Sequence, residues 1–563
     1  MERTPVGVVL GTHDASPLEF WVGVAEGQVL ELDALVEVEV ALPVGPDHPP
    51  TVVFHGLVDE VRKRFEGARF DSDAFRVAEA LLPMDVSWVA HVQVTRITPE
   101  VFVPPHPGTP VYAVRGEEFA RAMTFDRWAQ RLPIGLTRTG EPVYANFEFV
   151  DGTRGAHVSI SGVSGVATKT SYATFLLYGL FHQPDLLGPE VVNTRAVVFN
   201  VKGEDLLWLD QPNVRLDDGS PRAAEQRAAY AALGLPVGPF RNVGLYAPAR
   251  KGAGDILAHV GERTDGRVQA YCWTLREFAT RRLLRFAVSG ADDPRAQLSM
   301  VVQRLEGWLE REVTAAGPPW IDLEGEALRS FSELAEFLCD GDRLERVCRG
   351  AASGTLDAFR RRLFGAVERI GHLVRGEEGA AGRKIQWNAT NVTVIDIHAL
   401  HATAQTFVVG VMLQDILEQK ERGNAKPLVF VVLDELNKYA PRQGWSPIQE
   451  VLLDIAERGR SLGLCLFGAQ QTASEVERRV VANAAIKVVG RLDIAESERP
   501  EYGFLGRVGR LRAGLIQPGT MLVSQPEIPV PLLVKFPFPA WATRKSEAPL
   551  AQSRTGKGSR YDD

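Results

Sequence analysis

Hydrophobic and polar positions alternate in short runs across residues 5–103, as VGVVLG, EFWVGVA, QVLELDALVEVEVAL, TVVFHGLVDEV and VSWVAHVQVTRI, with turn signals between them. A period of two between turns is the mark of half-buried antiparallel strands, so this region predicts a small β-barrel or sandwich, with helical character only around residues 73–82. The stretch PPHPGTP at 104–110 reads as a boundary loop. Beyond it the pattern changes. Residues 157–160 read as a strand entering a Gly-rich turn, and 196–201, 392–397, 428–433 and 464–468 are four more runs of strand length that are mainly apolar rather than alternating, as strands covered on both faces are. They predict an α/β core with a mostly parallel sheet. Between about 256 and 384 the period becomes helical. Leu298, Val301, Val302, Leu305, Trp308 and Leu309 recur three or four residues apart, and so do Leu356, Phe359, Leu363, Val367, Ile370 and Leu373. This predicts a helical subdomain inserted into the core. From about residue 541 the chain turns polar, rich in Lys, Arg, Ser and Gly, and reads as a flexible tail unless a neighbouring subunit orders it.

A chain of 563 residues exceeds what one core organises, and about two to four domains are expected. The divisions are 1–115 for the barrel, 116–255 for the first part of the core, 256–384 for the helical insertion, 385–535 for the second part of the core and 536–563 for the tail. A composition of 45% hydrophobic and 24% charged residues is that of an ordinary globular protein. Residues 1–10 carry no basic stretch followed by an apolar core, and no apolar run approaches the ~20 residues that cross a bilayer. A cytoplasmic protein with no membrane partner is expected. Cys272, Cys339, Cys348 and Cys465 lack any CxxC spacing and read as buried structural thiols in a reducing compartment. The net charge of −8 argues against a uniformly basic nucleic-acid coat but leaves room for a local basic lining. Arg360, Arg361, Arg362, Arg369, Arg375, Arg383 and Lys384 cluster in and after the insertion; a run of this kind is usually the wet face of a helix.

Two distant segments carry the chemistry. GVSGVATKTS at 162–171 is a Gly-rich turn between a predicted strand and a predicted helix. Backbone N–H groups in such a turn converge on phosphate, the helix N-terminus adds partial positive charge, and a lysine reaches the outer oxygens. Lys169 is placed for that role, and the Thr170 hydroxyl for ligating Mg²⁺. The standard pattern has Gly at the positions held here by Val163 and Thr168. The nucleotide-contacting set is Gly162, Ser164, Gly165, Thr168, Lys169, Thr170 and Ser171. The plainer reading is a structural turn with an exposed lysine. The second segment, PLVFVVLDELNKYAP at 427–441, is an apolar strand ending in two carboxylates. Asp434 is placed to hold Mg²⁺ through water and Glu435 to act as general base on the attacking water; an acidic pair after a strand otherwise serves as a helix cap. Together the segments read as an ATPase using ATP and Mg²⁺. Downstream, Arg458 and Arg460 are candidates for a guanidinium that reaches a neighbouring subunit's γ-phosphate, and Gln470, at a strand end, for a γ-phosphate sensor. Taken alone, each Arg reads as solvated or salt-bridged and Gln470 as a buried, backbone-satisfied amide.

The order of these motifs resembles the HerA family of DNA-translocating ATPases, related to the FtsK-type motors. The likeness extends over the β-rich residues 5–103, LPIG at 132–135 followed by HVSISG at 157–162, AVVFNVKGED at 196–205 with Asn200 where an Asp is usual, VTVIDIHAL at 392–400, LDEL at 433–436 with YAP at 439–441, AERGRSLG at 456–463 and GAQQTA at 468–473. It implies a RecA-like P-loop core. By it the Walker A roles fall to Gly162, Gly165, Lys169 and Thr170, Walker B to Asp434 and Glu435, the sensor to Gln470 and the trans Arg to Arg458 or Arg460. It further implies a homo-oligomer, a hexameric ring that encircles and pumps double-stranded DNA and pairs with a NurA-type nuclease in resecting broken ends. Two other readings share these residues: the motor of an anti-phage defence module with another effector, and a nucleotide-binding scaffold that assembles a nuclease without moving DNA.

Overall fold

The computed structural model describes residues 3–42, 51–66, 70–163, 169–252, 255–288, 297–423, 425–444 and 446–549. The chain divides into two compact units. One comprises Met1–Val150, Ile160–Thr168 and Ala485–Phe536, the other Asp151–Ser159, Lys169–Ala484 and Pro537–Asp563.

In the first unit the strands Gly7–Val9, Glu19–Val24, Leu35–Ala41, Thr51–Phe65, Val86–Thr98 and Pro110–Ala113 close into a barrel. The period-two pattern is the reason: Phe20, Val22, Val36, Val38, Phe54, Val58 and Val92 all point into one core. Gly56 lies at a register shift in the long Thr51–Phe65 strand, where a Cβ would come within 2.3 Å of the Val92 side chain. Its lack of a side chain lets the strand bend tightly onto its partner. The helix Asp71–Ala78 joins the two longest strands. The unit also holds the antiparallel strands Ile486–Val489, Thr520–Gln525, Ile528–Lys535, Arg131–Leu136 and Pro142–Asn146, in that order. Arg512, following this sheet's first strand, grips Asp33 with both guanidinium nitrogens.

The second unit holds the parallel sheet. Its strands run in the order Gln269–Tyr271, Val243–Pro248, Val392–Asp396, Arg195–Asn200, Val429–Leu433, Leu464–Gln470. Every residue of the Val392–Asp396, Val429–Leu433 and Leu464–Gln470 strands is buried, which is why they read as mainly apolar runs without alternation. The helices Lys169–His182, Ala402–Arg422 and Pro447–Leu462 belong to this unit. The last ends at Gly463 in the left-handed region (φ 66°), with a Cβ there only 1.8 Å from the Ala425 carbonyl oxygen, so glycine is required twice over. The insertion is helical at Gln297–Glu312, Phe331–Cys339 and Ser353–Ile370, and Leu298, Val301, Leu305, Leu356, Phe359 and Leu363 form its interior. It is not helical throughout, since Trp273–Thr274 pairs with Val374–Arg375 and Ile321–Leu323 with Glu326–Leu328.

The segment read as a tail from 541 starts differently. Trp541 is buried against Tyr178 and Phe240, with ring centroids 5.0 and 4.9 Å away, and Asn213 Nδ2 donates to the carbonyl oxygens of Pro539 and Trp541. One large aromatic ring is enough apolar surface to anchor an otherwise polar stretch. Residues 550–563 lie outside the described residues. Cys272, Cys348 and Cys465 are buried free thiols and Cys339 is half-buried. Among the described residues no helix is long and apolar enough to cross a membrane.

His157, at the head of the Val158–Ser161 strand, is 3% exposed and accepts the Leu466 N–H at Nδ1 (2.9 Å). Burial pushes its pKa down to about 4. The unfolded chain therefore binds this proton first, and the stabilisation, full above the ordinary histidine value of about 6.5, is lost as pH falls toward 4. At pH 5 the loss from this group is about 2 kcal/mol. Urea unfolding at pH 7.5 and pH 5 should reveal it, and in His157→Asn, which keeps an acceptor and tolerates the left-handed backbone at this position (φ 68°), the difference between the two pH values should shrink.

Candidate functional site

The site is built at the C-terminal end of the Val429–Leu433 strand. Five apolar residues, three of them valine, hold the strand in the buried sheet and deliver Asp434 to its edge, where open α/β sheets bind ligands. Asp434 Oδ1 accepts the N–H of Glu435 (2.8 Å), which turns the chain sharply and ends the strand. Glu435 follows in the left-handed region (φ 57°, ψ 43°), a costly conformation for a residue with a Cβ and one that clusters at functional positions. Its carboxylate pairs with Lys438 one helical turn on. Gly468 on the adjacent strand makes room for this turn: a Cβ there would lie 2.7 Å from the Leu436 side chain.

Helix Lys169–His182 supplies the opposing groups. Thr170 Oγ1 donates to Asp434 Oδ2 at 2.9 Å across 264 residues of sequence. Lys169, the first residue of the helix, is 4% exposed rather than a surface lysine. Burial lowers its pKa, the Lys202 charge lowers it further, and the Asp434 and Glu435 carboxylates oppose both. Its ammonium thus lies in the field of both acids. Tyr439, 1% exposed, stands in the same field, with its hydroxyl pKa raised first by burial and then by Glu435 and Asp434. That hydroxyl has no hydrogen-bond partner among the described residues.

The structure therefore brings together Lys169, Thr170, Asp434 and Glu435. Ser171 is half-buried on the same helix, and its carbonyl accepts the Thr174 hydroxyl. Gly162 lies in the first unit, with Gly490 and Arg491 backbone 3.4 Å from where its Cβ would be, and Val163 N–H donates to the Arg491 carbonyl (2.8 Å). Ser164, Gly165 and Thr168 lie outside the described residues. Gln470 ends its strand fully buried and donates from Nε2 to Ser159 Oγ (2.8 Å).

Arg458 and Arg460 are not at this edge. They sit near the C-terminus of helix Pro447–Leu462, which leads through Gly463 into the start of the Leu464–Gln470 strand, beside Val429 and a strand's length from Asp434. Arg458 pairs with Glu421 at 2.8 Å on the surface. Arg460 donates to the carbonyl oxygens of Gly152 (3.2 Å) and Thr153 (2.8 Å). Within the basic cluster, Arg375 is buried and bound to Glu377 and to the His372 carbonyl, Arg360 to Asp357 and the Cys339 carbonyl, and Arg369 to the Thr403 hydroxyl.

Sequence reasoning missed Lys202. Its Nζ lies 3.1 Å from Asp434 Oδ2, the oxygen that also receives the Thr170 hydroxyl. The only signal was its place two residues beyond the Arg195–Asn200 strand, next to Gly203 in the left-handed region (φ 57°). The same turn carries a polar network. Asn200 Nδ2 donates to the Gly203 carbonyl (2.7 Å) and to buried Asp396 (2.8 Å), which also holds His398 Nδ1 (2.9 Å). Burial raises the Asp396 pKa, and the Asp396 hydrogen bond raises that of His398. Glu204 accepts the successive N–H groups of Gly261, Glu262 and Arg263.

Thr170 Oγ1 and Asp434 Oδ2 are hard oxygen donors meeting at one point, the donor set from which Mg²⁺ takes one or two protein ligands while phosphate and water supply the rest. A buried lysine and an unsatisfied tyrosine hydroxyl beside them fit a phosphate-bearing ligand.

No family model and no curated protein matches the chain. Among solved structures it is similar to the bacterial conjugative coupling protein TrwBdeltaN70 at 14% identity, over 76% of this chain and 94% of that one, with a TM-score of 0.45. It is also similar to VirB4 of Thermoanaerobacter pseudethanolicus at 15% identity, over 72% and 96%, with a TM-score of 0.43, and to EssC (ATPases 2 and 3) from Geobacillus thermodenitrificans at 12% identity, over 74% and 46%, with a TM-score of 0.28.

Proposed function

We propose that this chain is an ATP-hydrolysing motor that moves double-stranded DNA. The observation that carries the nucleotide part is the Thr170–Asp434 hydrogen bond at 2.9 Å, with Lys169 buried in the field of Asp434 and Glu435. A helix start and a strand end far apart in sequence thereby present a cation, a hydroxyl and two carboxylates to one place. Lys169 binds the outer phosphate oxygens, and its low pKa returns toward normal as their charge replaces lost hydration. Thr170 and Asp434 hold Mg²⁺, which when bound neutralises phosphate charge. Glu435, fixed by its left-handed backbone, takes the proton of the attacking water at a carboxylate oxygen.

The DNA part is supported by the motif order shared with the HerA family. In this reading the chain works as a hexameric ring, with a NurA-type nuclease as partner in end resection. Arg458 is the better trans candidate: its surface ion pair with Glu421 is worth little and is readily given up, whereas Arg460 braces the Gly152 and Thr153 carbonyls. The test is ATP turnover as a function of linear duplex DNA. A rise of tenfold or more with DNA, lost steeply as salt rises, is the expected result. Turnover that stays flat across DNA concentrations refutes the motor and leaves a scaffold.

A further inference from the structure

We infer that Lys202 is the built-in counter-ion of Asp434 and is displaced when a divalent cation enters with nucleotide. This rests on the nucleotide reading above and extends it to a residue that reading does not use. Asp434 has one carboxylate oxygen engaged by the Glu435 N–H and the other shared by the Thr170 hydroxyl and the Lys202 ammonium. Asp434 is only 2% exposed, so its charge needs a permanent partner. Lys202 supplies one from a half-exposed stem (46%) on a turn that Gly203 allows to bend. A divalent cation held at the same oxygen, directly or through one water, cannot share it with an ammonium, because like charges this close repel strongly. Thr170, being neutral, can stay. The two positive groups near Asp434 thus have separate duties. Lys169 is buried at the head of its helix and cannot leave, whereas Lys202 is exposed enough to swing into water.

Lys202 is therefore a positioning residue that sets the Mg²⁺ requirement: it keeps the acid neutralised between cycles and makes the cation compete for its ligand. The consequence is opposite to that of an ordinary binding residue, since removing Lys202 tightens the cation site.

The experiment is calorimetric titration of ADP into the full chain over a series of Mg²⁺ concentrations, for the natural protein, Lys202→Met and Lys202→Arg, with circular dichroism to check the fold. Lys202→Met should move the Mg²⁺ midpoint about tenfold lower, as expected for loss of one competing partly exposed charge. Its ADP affinity without Mg²⁺ should change less, and Lys202→Arg should keep the natural midpoint. An unchanged or higher midpoint in a folded Lys202→Met protein overturns the inference. A natural protein that binds no ADP at any Mg²⁺ concentration overturns the nucleotide reading itself, and the two failures are distinct.

Discussion

Lys169→Ala is expected to weaken ATP binding by roughly two to three orders of magnitude, the usual cost of deleting one partner of a buried charge-assisted contact. The same change should remove measurable turnover. Lys169 is 4% exposed and carries a depressed pKa, so the folded protein without ligand spends energy keeping its ammonium out of water. In thermal unfolding the variant should lose the rise in melting temperature that nucleotide gives the natural protein. Equilibrium binding of a fluorescent ATP analogue, together with thermal unfolding with and without ATP, checks both halves. Natural-strength binding by the variant would remove Lys169 from the site.

Glu435→Gln should separate binding from chemistry. The amide keeps the shape of the side chain and cannot accept the proton of an attacking water, so turnover should fall by roughly 10²–10⁴-fold. Binding should stay within a few-fold, because Lys169, Thr170 and Asp434 are untouched. Loss of the Lys438 ion pair is a minor effect at this partly exposed position. Rapid-quench measurement of ATP cleavage alongside equilibrium binding checks it. A variant that cleaves ATP at the natural rate would move the base elsewhere, and one that fails to bind would make Glu435 a ligand-holding group.

The parallel strands could be read from the sequence because burial on both faces keeps them mainly apolar, most clearly at Val429–Leu433, while the polar residues of Val392–Asp396, Thr393 and Asp396, are each hydrogen-bonded. Asp434 and Glu435 were legible for the same reason, since charge directly after such a run has to lie at the sheet edge. The Val243–Pro248 strand was not, because Gly, Tyr and Pro break its apolar run, and Ile528–Lys535 was disguised by two prolines that belong to irregular or edge positions. Lys202 was hidden more thoroughly: a lysine in a polar turn has no periodicity, and its meaning comes only from the neighbouring strand that folding sets beside it. Arg460 shows the reverse case. A guanidinium that looked ready to reach outward is occupied by two carbonyl groups from a loop about three hundred residues earlier in the chain.

The grip of Glu204 on the amides of residues 261–263 is polar throughout. Three consecutive N–H groups around one carboxylate make an anion cradle, and water can replace each of those contacts in turn. The root of the helical insertion is therefore fastened here by polar groups, and buried Arg263 adds to them a two-pronged pair with Asp210 and a stack over the Trp208 ring. Because Glu204 stands two residues from Lys202, the turn that carries the counter-ion of Asp434 is also the turn that holds the insertion's first segment.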